Sequence, residues 1–175
     1  MVARARLRAL PNIISSSRVL LAAGFVAVDH ADARLGLVGL AAITDFLDGW
    51  VARRGKWATR WGALIDPIAD RVFAVVAVST FLVTGALSPA GALVMLSRDI
   101  MTAVGFLVAR LVSWLRPVEF KARLAGKVVT VLQFVTFVAV LRFPRFVTTC
   151  LWVVGIASAY SIVDYSYALW RARAR

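Results

Sequence analysis

Two acidic segments stand close together in the chain, DFLDGWVAR at residues 45–53 and GALIDPIAD at residues 62–70, with eight residues between them. Residues three or four positions apart share one face of a helix, and each segment places its acidic and small residues at such intervals. These faces comprise Asp45, Asp48, Gly49 and Ala52 in the first segment and Gly62, Asp66 and Asp70 in the second. Because a short loop joins the segments, we expect two antiparallel helices whose four carboxylates converge.

The composition around these segments is typical of a membrane protein. Of the 175 residues, 61% are hydrophobic and 17% are charged, whereas soluble domains have about 45–50% and about 25%. An ionised carboxylate inside an apolar membrane segment costs at least ~2.5–3.5 kcal/mol on insertion scales. Four carboxylates in one stretch therefore need a compensating partner, and one or two divalent cations between them would supply it.

The ligands available for such a cation are oxygens. Cys150 is the only cysteine and His30 the only histidine, which excludes an internal disulfide, a cysteine-based metal site and a histidine-rich zinc site. Carboxylate oxygens favour Mg²⁺, Mn²⁺ or Ca²⁺. Gly49, Ala52 and Gly62 leave the backbone beside the carboxylates open to a phosphorylated ligand. The alternative is that these small residues serve only close helix packing, which is common in membranes.

The apolar segments predict an all-α integral membrane protein with about six transmembrane helices in a single domain, residues 1–175. Each segment is close to the ~20 residues that a helix needs to cross the hydrocarbon. The spans are expected at roughly 12–28, 35–53, 62–84, 89–112, 124–142 and 146–169. Residues 1–11 are expected to form an amphipathic segment on the membrane surface. A signal peptide is the alternative there.

The net charge of +12 comes from basic residues that flank the apolar segments. This distribution suits anionic lipid surfaces better than nucleic acid, for which the chain has no binding motif. The positive-inside rule places both termini and the acidic segments on the cytoplasmic side. The expected outer ends carry only three basic residues, Arg34, Arg142 and Arg145.

At every defined position, the spacing of the two acidic segments resembles the signature of the CDP-alcohol phosphatidyltransferase family. The resemblance extends along the chain to the family's bacterial glycerophosphate-accepting and cardiolipin-forming branches. The residues that carry this extension are Pro11, Asn12, Arg18, Ser97, Arg98, Asp99, Gly126, Lys127, Thr130 and Gln133. The family's fold of six helices with cytoplasmic termini and a surface helix agrees with the span count reached from hydropathy.

The resemblance implies roles for the residues of the signature. Asp45, Asp48 and Asp66 would bind metal, which we expect to be Mg²⁺ or Mn²⁺ and two ions. Asp70 would accept the proton of the alcohol and also touch a metal. The CDP part of the lipid substrate would contact Gly49, Ala52, Arg53 and Gly62. A homodimer is likewise implied by the resemblance alone.

The expected reaction is attack of an alcohol on the lipid-linked phosphorus of CDP-diacylglycerol, with release of CMP. Glycerol 3-phosphate is the favoured acceptor, and phosphatidylglycerol, which would give cardiolipin, is the alternative. A divalent metal transporter would also explain the aspartates, but not the spacing of Gly49, Ala52, Arg53 and Gly62.

Three basic residues are candidates to bind the negative charge of the acceptor, namely Arg98, Arg110 and Lys127. Each has a simpler alternative. Arg98 could pair with an aspartate of another helix, since adjacent Arg98 and Asp99 are not expected to face each other. Arg110 and Lys127 could extend to lipid headgroups.

Overall fold

The structure is a computed structural model that describes residues 17–54, 62–111 and 124–173; within these ranges, the side chains of 48–54, 62–70, 106–111, 124–125 and 168–173 are not described. The described residues form six α-helices, and no strand occurs among them. The helices are α1 (17–27), α2 (Ala31–Arg54), α3 (Gly62–Val83), α4 (Pro89–Leu111), α5 (Leu124–Arg142) and α6 (Val147–Arg173). A short 3₁₀ turn, Pro144–Phe146, precedes α6.

These helices confirm the helical segments predicted from hydropathy, most of them within a few residues at each end. Among the described residues, one stretch, Pro144–Tyr167, is long and apolar enough to cross a membrane by length and composition. Its large side chains are widely exposed, as at Trp152 and Ile156, rather than buried in a protein core. The other five spans, the predicted surface segment at 1–11 and the single domain over 1–175 stay predictions.

The first compact unit, residues up to Thr84, is built around Phe25 of α1. The Phe25 ring is fully buried and meets the rings of Phe73 and Phe81 of α3 edge to face, with centroids 5.7 and 5.5 Å away. Such aromatic pairs stabilise a core beyond the area they bury. Arg34 of α2 fixes the turn after α1, because its Nε donates to the carbonyl oxygen of Val28 at 2.7 Å.

The second compact unit, from Gly85 onward, contains α4, α5 and α6. In this unit α6 packs against both α4 and α5. Gly85 has φ of +73°, a conformation that glycine adopts without steric cost. Ser88 then caps α4, since its Oγ accepts a hydrogen bond from the amide of Gly91 at 3.1 Å, and Pro89 takes the first helical position.

Candidate active site

The residues of the family signature lie on two of these helices. Asp45 to Arg53 belong to α2, and Gly62 to Asp70 open α3. The helical spacing predicted for both segments is therefore confirmed. Residues 55–61, which connect them, lie outside the described residues, as do the side chains of Asp48, Asp66 and Asp70. Convergence of the four carboxylates stays a prediction.

Asp45 is the one acidic residue of the signature whose side chain is described. Its Oδ1 lies 3.5 Å from Nη1 of Arg18 on α1, and the side chains are 38% and 2% exposed, respectively. The carboxylate is partly exposed, and the buried guanidinium supplies a nearby positive charge. Arg18 thus links the first residue of the signature to the neighbouring helix.

The unequal burial of this pair predicts unequal effects of removing each partner. Asp45→Asn is expected to lower the melting temperature in detergent more than Arg18→Met, because it takes a carboxylate away from a buried guanidinium. The double variant is expected to lose less than the sum of the two shifts, with a coupling on the order of 1 kcal/mol. Melting curves of the three variants and the wild type measure this coupling.

Arg145→Met is the matched control, because Arg145 is exposed and stacks on Phe146 with its Cζ 4.7 Å from the ring centroid. It should shift the melting temperature little. Additive shifts for Arg18→Met and Asp45→Asn would show that the pair contributes nothing to stability.

A second polar group connects α4 to α5. Asp99 accepts two hydrogen bonds, one at Oδ1 from Nη1 of Arg98 at 3.0 Å and one at Oδ2 from Nε2 of Gln133 at 2.8 Å. The Gln133 amide also donates to the carbonyl oxygen of Met95 at 2.7 Å. Gln133 is 4% exposed and the Asp99 side chain 8% exposed, so these bonds form in a buried setting.

Gly126 gives Arg98 its place against α5. A Cβ at this position would overlap Nη2 of Arg98 and approach its Cζ to 3.3 Å. Only a residue without a side chain lets the guanidinium lie this close to the helix backbone. We refer to Arg98, Asp99, Gln133 and Gly126 together as the Arg98 cluster.

The cluster corrects the sequence-based expectation for Arg98 and Asp99. These neighbours were expected to face apart, yet they form an ion pair. The arginine side chain is long enough to curl back along its own helix, and burial makes it costly to leave either charge unpaired. Among the described residues, Asp99 is the carboxylate that pairs with Arg98, in place of the aspartate of another helix that the sequence left as an alternative.

The other two candidates for acceptor binding are placed less fully. Lys127 lies in the first turns of α5 and is exposed. Arg110 lies near the end of α4, and its side chain is outside the described residues. His30 lies in the turn before α2 and is exposed.

Among the described residues, no group of three histidine, cysteine or acidic side chains is placed to hold a metal ion. The donors predicted for a metal ion are aspartate oxygens. Among these aspartates, Asp45 has a partly exposed side chain. Such oxygens suit Mg²⁺ or Mn²⁺, so the donor chemistry fits a divalent metal.

Sequence reasoning missed two contacts in these sites, Arg18 with Asp45 and Gln133 with Asp99. A signal existed for both. A charge inside an apolar segment needs a partner, and a lone glutamine in an apolar helix needs acceptors for its amide hydrogens. The pattern did not reveal which partners they find.

A family profile and individual relatives both match the part of the chain that contains these segments. Residues 8–162 match the profile of the family described as CDP-alcohol phosphatidyltransferase. The chain is similar to proteins named CDP-diacylglycerol–glycerol-3-phosphate 3-phosphatidyltransferase. It is 30% identical to the one from Escherichia coli K12 over 92% of this chain and 89% of that protein. It is 32% identical to the one from Sodalis glossinidius over 74% of each chain.

The corresponding protein of Aquifex aeolicus is 37% identical over 108 residues, which are 58% of this chain and 61% of that protein. The chain thus matches less than two thirds of the Aquifex protein and most of the Escherichia coli one. The family profile itself covers more than half of the chain, including both acidic segments. The chain therefore belongs to the CDP-alcohol phosphatidyltransferase family.

Proposed function

We propose that this protein transfers the phosphatidyl group of CDP-diacylglycerol to glycerol 3-phosphate and releases CMP. The observation that carries the proposal is the similarity to glycerol-3-phosphate 3-phosphatidyltransferases along nearly the whole chain. The complete signature on α2 and α3 supports the same chemistry. The product of this reaction is phosphatidylglycerophosphate, so the protein would act in phospholipid biosynthesis.

The transfer requires one bond to form and one to break. The acceptor hydroxyl oxygen bonds to the lipid-linked phosphorus, and the bond from that phosphorus to the oxygen of CMP breaks. Asp70 takes the hydroxyl proton, and the bonding electrons leave with CMP as a phosphate oxyanion. Positioning and charge neutralisation supply most of the catalysis in phosphoryl transfer.

The divalent metal would be Mg²⁺ or Mn²⁺, bound as two ions. Four aspartates would hold these ions, namely Asp45, Asp48, Asp66 and Asp70. When bound, such ions neutralise phosphate charge on the substrate and on the leaving group. Arg18 would position Asp45 for this role from the neighbouring helix, because its guanidinium forms an ion pair with the Asp45 carboxylate.

The cytidine nucleotide would lie along the small residues of the signature. Gly49 and Ala52 on α2 and Gly62 on α3 offer a surface with little side chain. Arg53, next to Ala52, carries the positive charge that would hold the CDP phosphates. The acceptor phosphate would bind Arg98, Arg110 and Lys127, on α4 and α5.

We place the protein in the cell membrane with six spans, an N-terminal surface segment and one domain over residues 1–175. The long apolar stretch Pro144–Tyr167 supports a membrane location. Both termini and the active site would face the cytoplasm, since the basic residues concentrate at those helix ends. Assembly as a homodimer belongs to the same proposal.

The proposed reaction is tested by measuring CMP release from purified protein in detergent. CDP-diacylglycerol is supplied with Mg²⁺ or Mn²⁺ and with glycerol 3-phosphate or phosphatidylglycerol. We expect CMP with glycerol 3-phosphate alone, and its loss when EDTA removes the metal.

CMP with phosphatidylglycerol instead would assign cardiolipin synthesis to the same site. No CMP with either acceptor, combined with metal flux into proteoliposomes, would replace the enzyme proposal with transport.

A further inference from the structure

We infer that Gln133 is a positioning residue for acceptor recognition, because it holds Asp99, which in turn holds the Arg98 guanidinium. The inference rests on the proposed function, in which Arg98 binds the acceptor phosphate. It adds a residue that does not itself touch the substrate. Its basis is the chain of bonds from Gln133 through Asp99 to Arg98 within the Arg98 cluster.

Both hydrogens of the Gln133 amide have defined acceptors. One goes to the carbonyl oxygen of Met95, which is a fixed point on the α4 backbone, and the other goes to Oδ2 of Asp99. An amide group with two acceptors in place has one orientation. Gln133 therefore fixes the Asp99 carboxylate relative to the helix backbone and not merely relative to another mobile side chain.

The Asp99 carboxylate transmits this constraint to Arg98. Its second oxygen, Oδ1, accepts from Nη1 of Arg98 at 3.0 Å. The guanidinium is planar, so fixing one end limits rotation of the whole group. On the other side, the absence of a Cβ at Gly126 leaves Nη2 room against α5. The guanidinium is thus held between a carboxylate and a glycine.

The donors that remain on Arg98 suit an oxyanion. Within the part of the chain that the structure describes, Nε of Arg98 is buried and has no hydrogen-bond partner. A buried donor without an acceptor is costly, whereas a phosphate oxygen would satisfy it. Hydrogen bonds between a guanidinium and a phosphate are charge-assisted and strong, and Nε is the Arg98 donor that the described residues leave without an acceptor. A fixed Arg98 would bind the acceptor with less loss of side-chain freedom.

The test compares the KM for glycerol 3-phosphate with the KM for CDP-diacylglycerol and with kcat. Gln133→Met keeps the size of the side chain but removes both amide donors. It is expected to raise the KM for glycerol 3-phosphate about tenfold, the scale of one hydrogen bond to a charged group. The KM for CDP-diacylglycerol should stay near the wild-type value, which a general loss of structure would not allow.

Thr136→Val is the matched control on the same helix. Thr136 is fully buried, and its hydroxyl bonds to the carbonyl oxygen of Leu132 within α5. This variant also replaces a buried polar side chain by an apolar one of similar size, but it leaves the Arg98 cluster untouched. Its KM for glycerol 3-phosphate should match the wild type.

A double variant separates positioning from an independent role. Arg98→Lys keeps a positive charge beside Asp99 but loses the planar guanidinium. Adding Gln133→Met to Arg98→Lys should raise the KM for glycerol 3-phosphate by less than about twofold more, since no guanidinium remains to be positioned. If the two effects multiply, Gln133 does not act through Arg98 and the inference is wrong.

Gly126→Ala tests the other side of the cluster, because the added Cβ would displace Nη2 without removing a hydrogen-bonding group. It should raise the same KM, whereas Gly155→Ala on α6 should not, since its Cβ would meet Val94 Cγ1 at an ordinary 3.4 Å. If the wild-type protein releases CMP with glycerol 3-phosphate and the kinetics of Gln133→Met equal those of the wild type, the inference is wrong but the proposed function stands. Absence of CMP release by the wild type would overturn it together with the proposed function.

Discussion

Asp66→Asn is expected to lower CMP release by roughly a thousandfold, the scale on which enzymes lose rate when one group that stabilises transition-state charge is removed. The substitution keeps the shape of the side chain but replaces a carboxylate, the proposed metal ligand, by a neutral amide. Asp66 lies one turn into α3, in the middle of the acidic and small face of that helix. Loss of its charge should weaken metal binding, so the metal concentration for half-maximal activity should rise.

Asp29→Asn provides the matched control for this change. Asp29 lies in the same compact unit, but in the turn before α2, and its side chain is 98% exposed. CMP release by this variant should be close to that of the wild type. If Asp66→Asn kept the activity and the metal dependence of the wild type, Asp66 would not be a metal ligand and the predicted site would need another donor.

The helical framework could be predicted from the sequence because its signals are local. Apolar runs of suitable length alternate with turn residues and charge, and these features define where a helix begins and ends. The start of α4 is an example, since Ser88 and Pro89 supply the cap and the first helical position. The signature residues also required only spacing, and α2 and α3 have the helical register that the spacing predicted.

Side-chain partners could not be predicted in the same way, because they depend on how helices approach one another. The buried amide of Gln133 bonds to α4, 34 positions away at Asp99, and no local pattern gives that distance. From the sequence, Arg98 and Asp99 are not expected to face each other, because adjacent residues on a helix point in different directions. That rule concerns the directions in which side chains leave the helix, whereas the long Arg98 side chain reaches back to Oδ1 of Asp99.

Arg18 on α1 and Arg98 on α4 show what this packing adds. An arginine on its own is costly in an apolar membrane segment. The structure pairs Arg18 with Asp45 of the signature and Arg98 with Asp99 beside Gln133. Arg18 thereby contacts one acidic residue of the proposed metal site, while Arg98 is itself held in the place from which it would bind the proposed acceptor. The proposed roles of the two arginines differ because their partners differ in burial: Asp45 is partly exposed, whereas Asp99 is buried.

Asp70→Asn is expected to lower kcat by about 10²- to 10⁴-fold, the usual contribution of a positioned general base. Asp70 lies one turn beyond Asp66 on α3, so it shares a helix face with this proposed metal ligand but lies farther along the helix. If it accepts the proton of the acceptor, the substitution should reduce kcat while both KM values change little. The metal concentration for half-maximal activity should also stay nearer the wild-type value than in Asp66→Asn.

Asp164→Asn on α6 is the matched control for Asp70→Asn, because it makes the same change in an apolar helix outside the signature. Its kcat should stay close to that of the wild type. Near-wild-type turnover of Asp70→Asn would remove the base assignment. A large rise in its metal requirement, equal to that of Asp66→Asn, would instead make Asp70 chiefly a metal ligand. Another group would then have to act as the base, because the attacking hydroxyl must lose its proton whichever residue binds the metal.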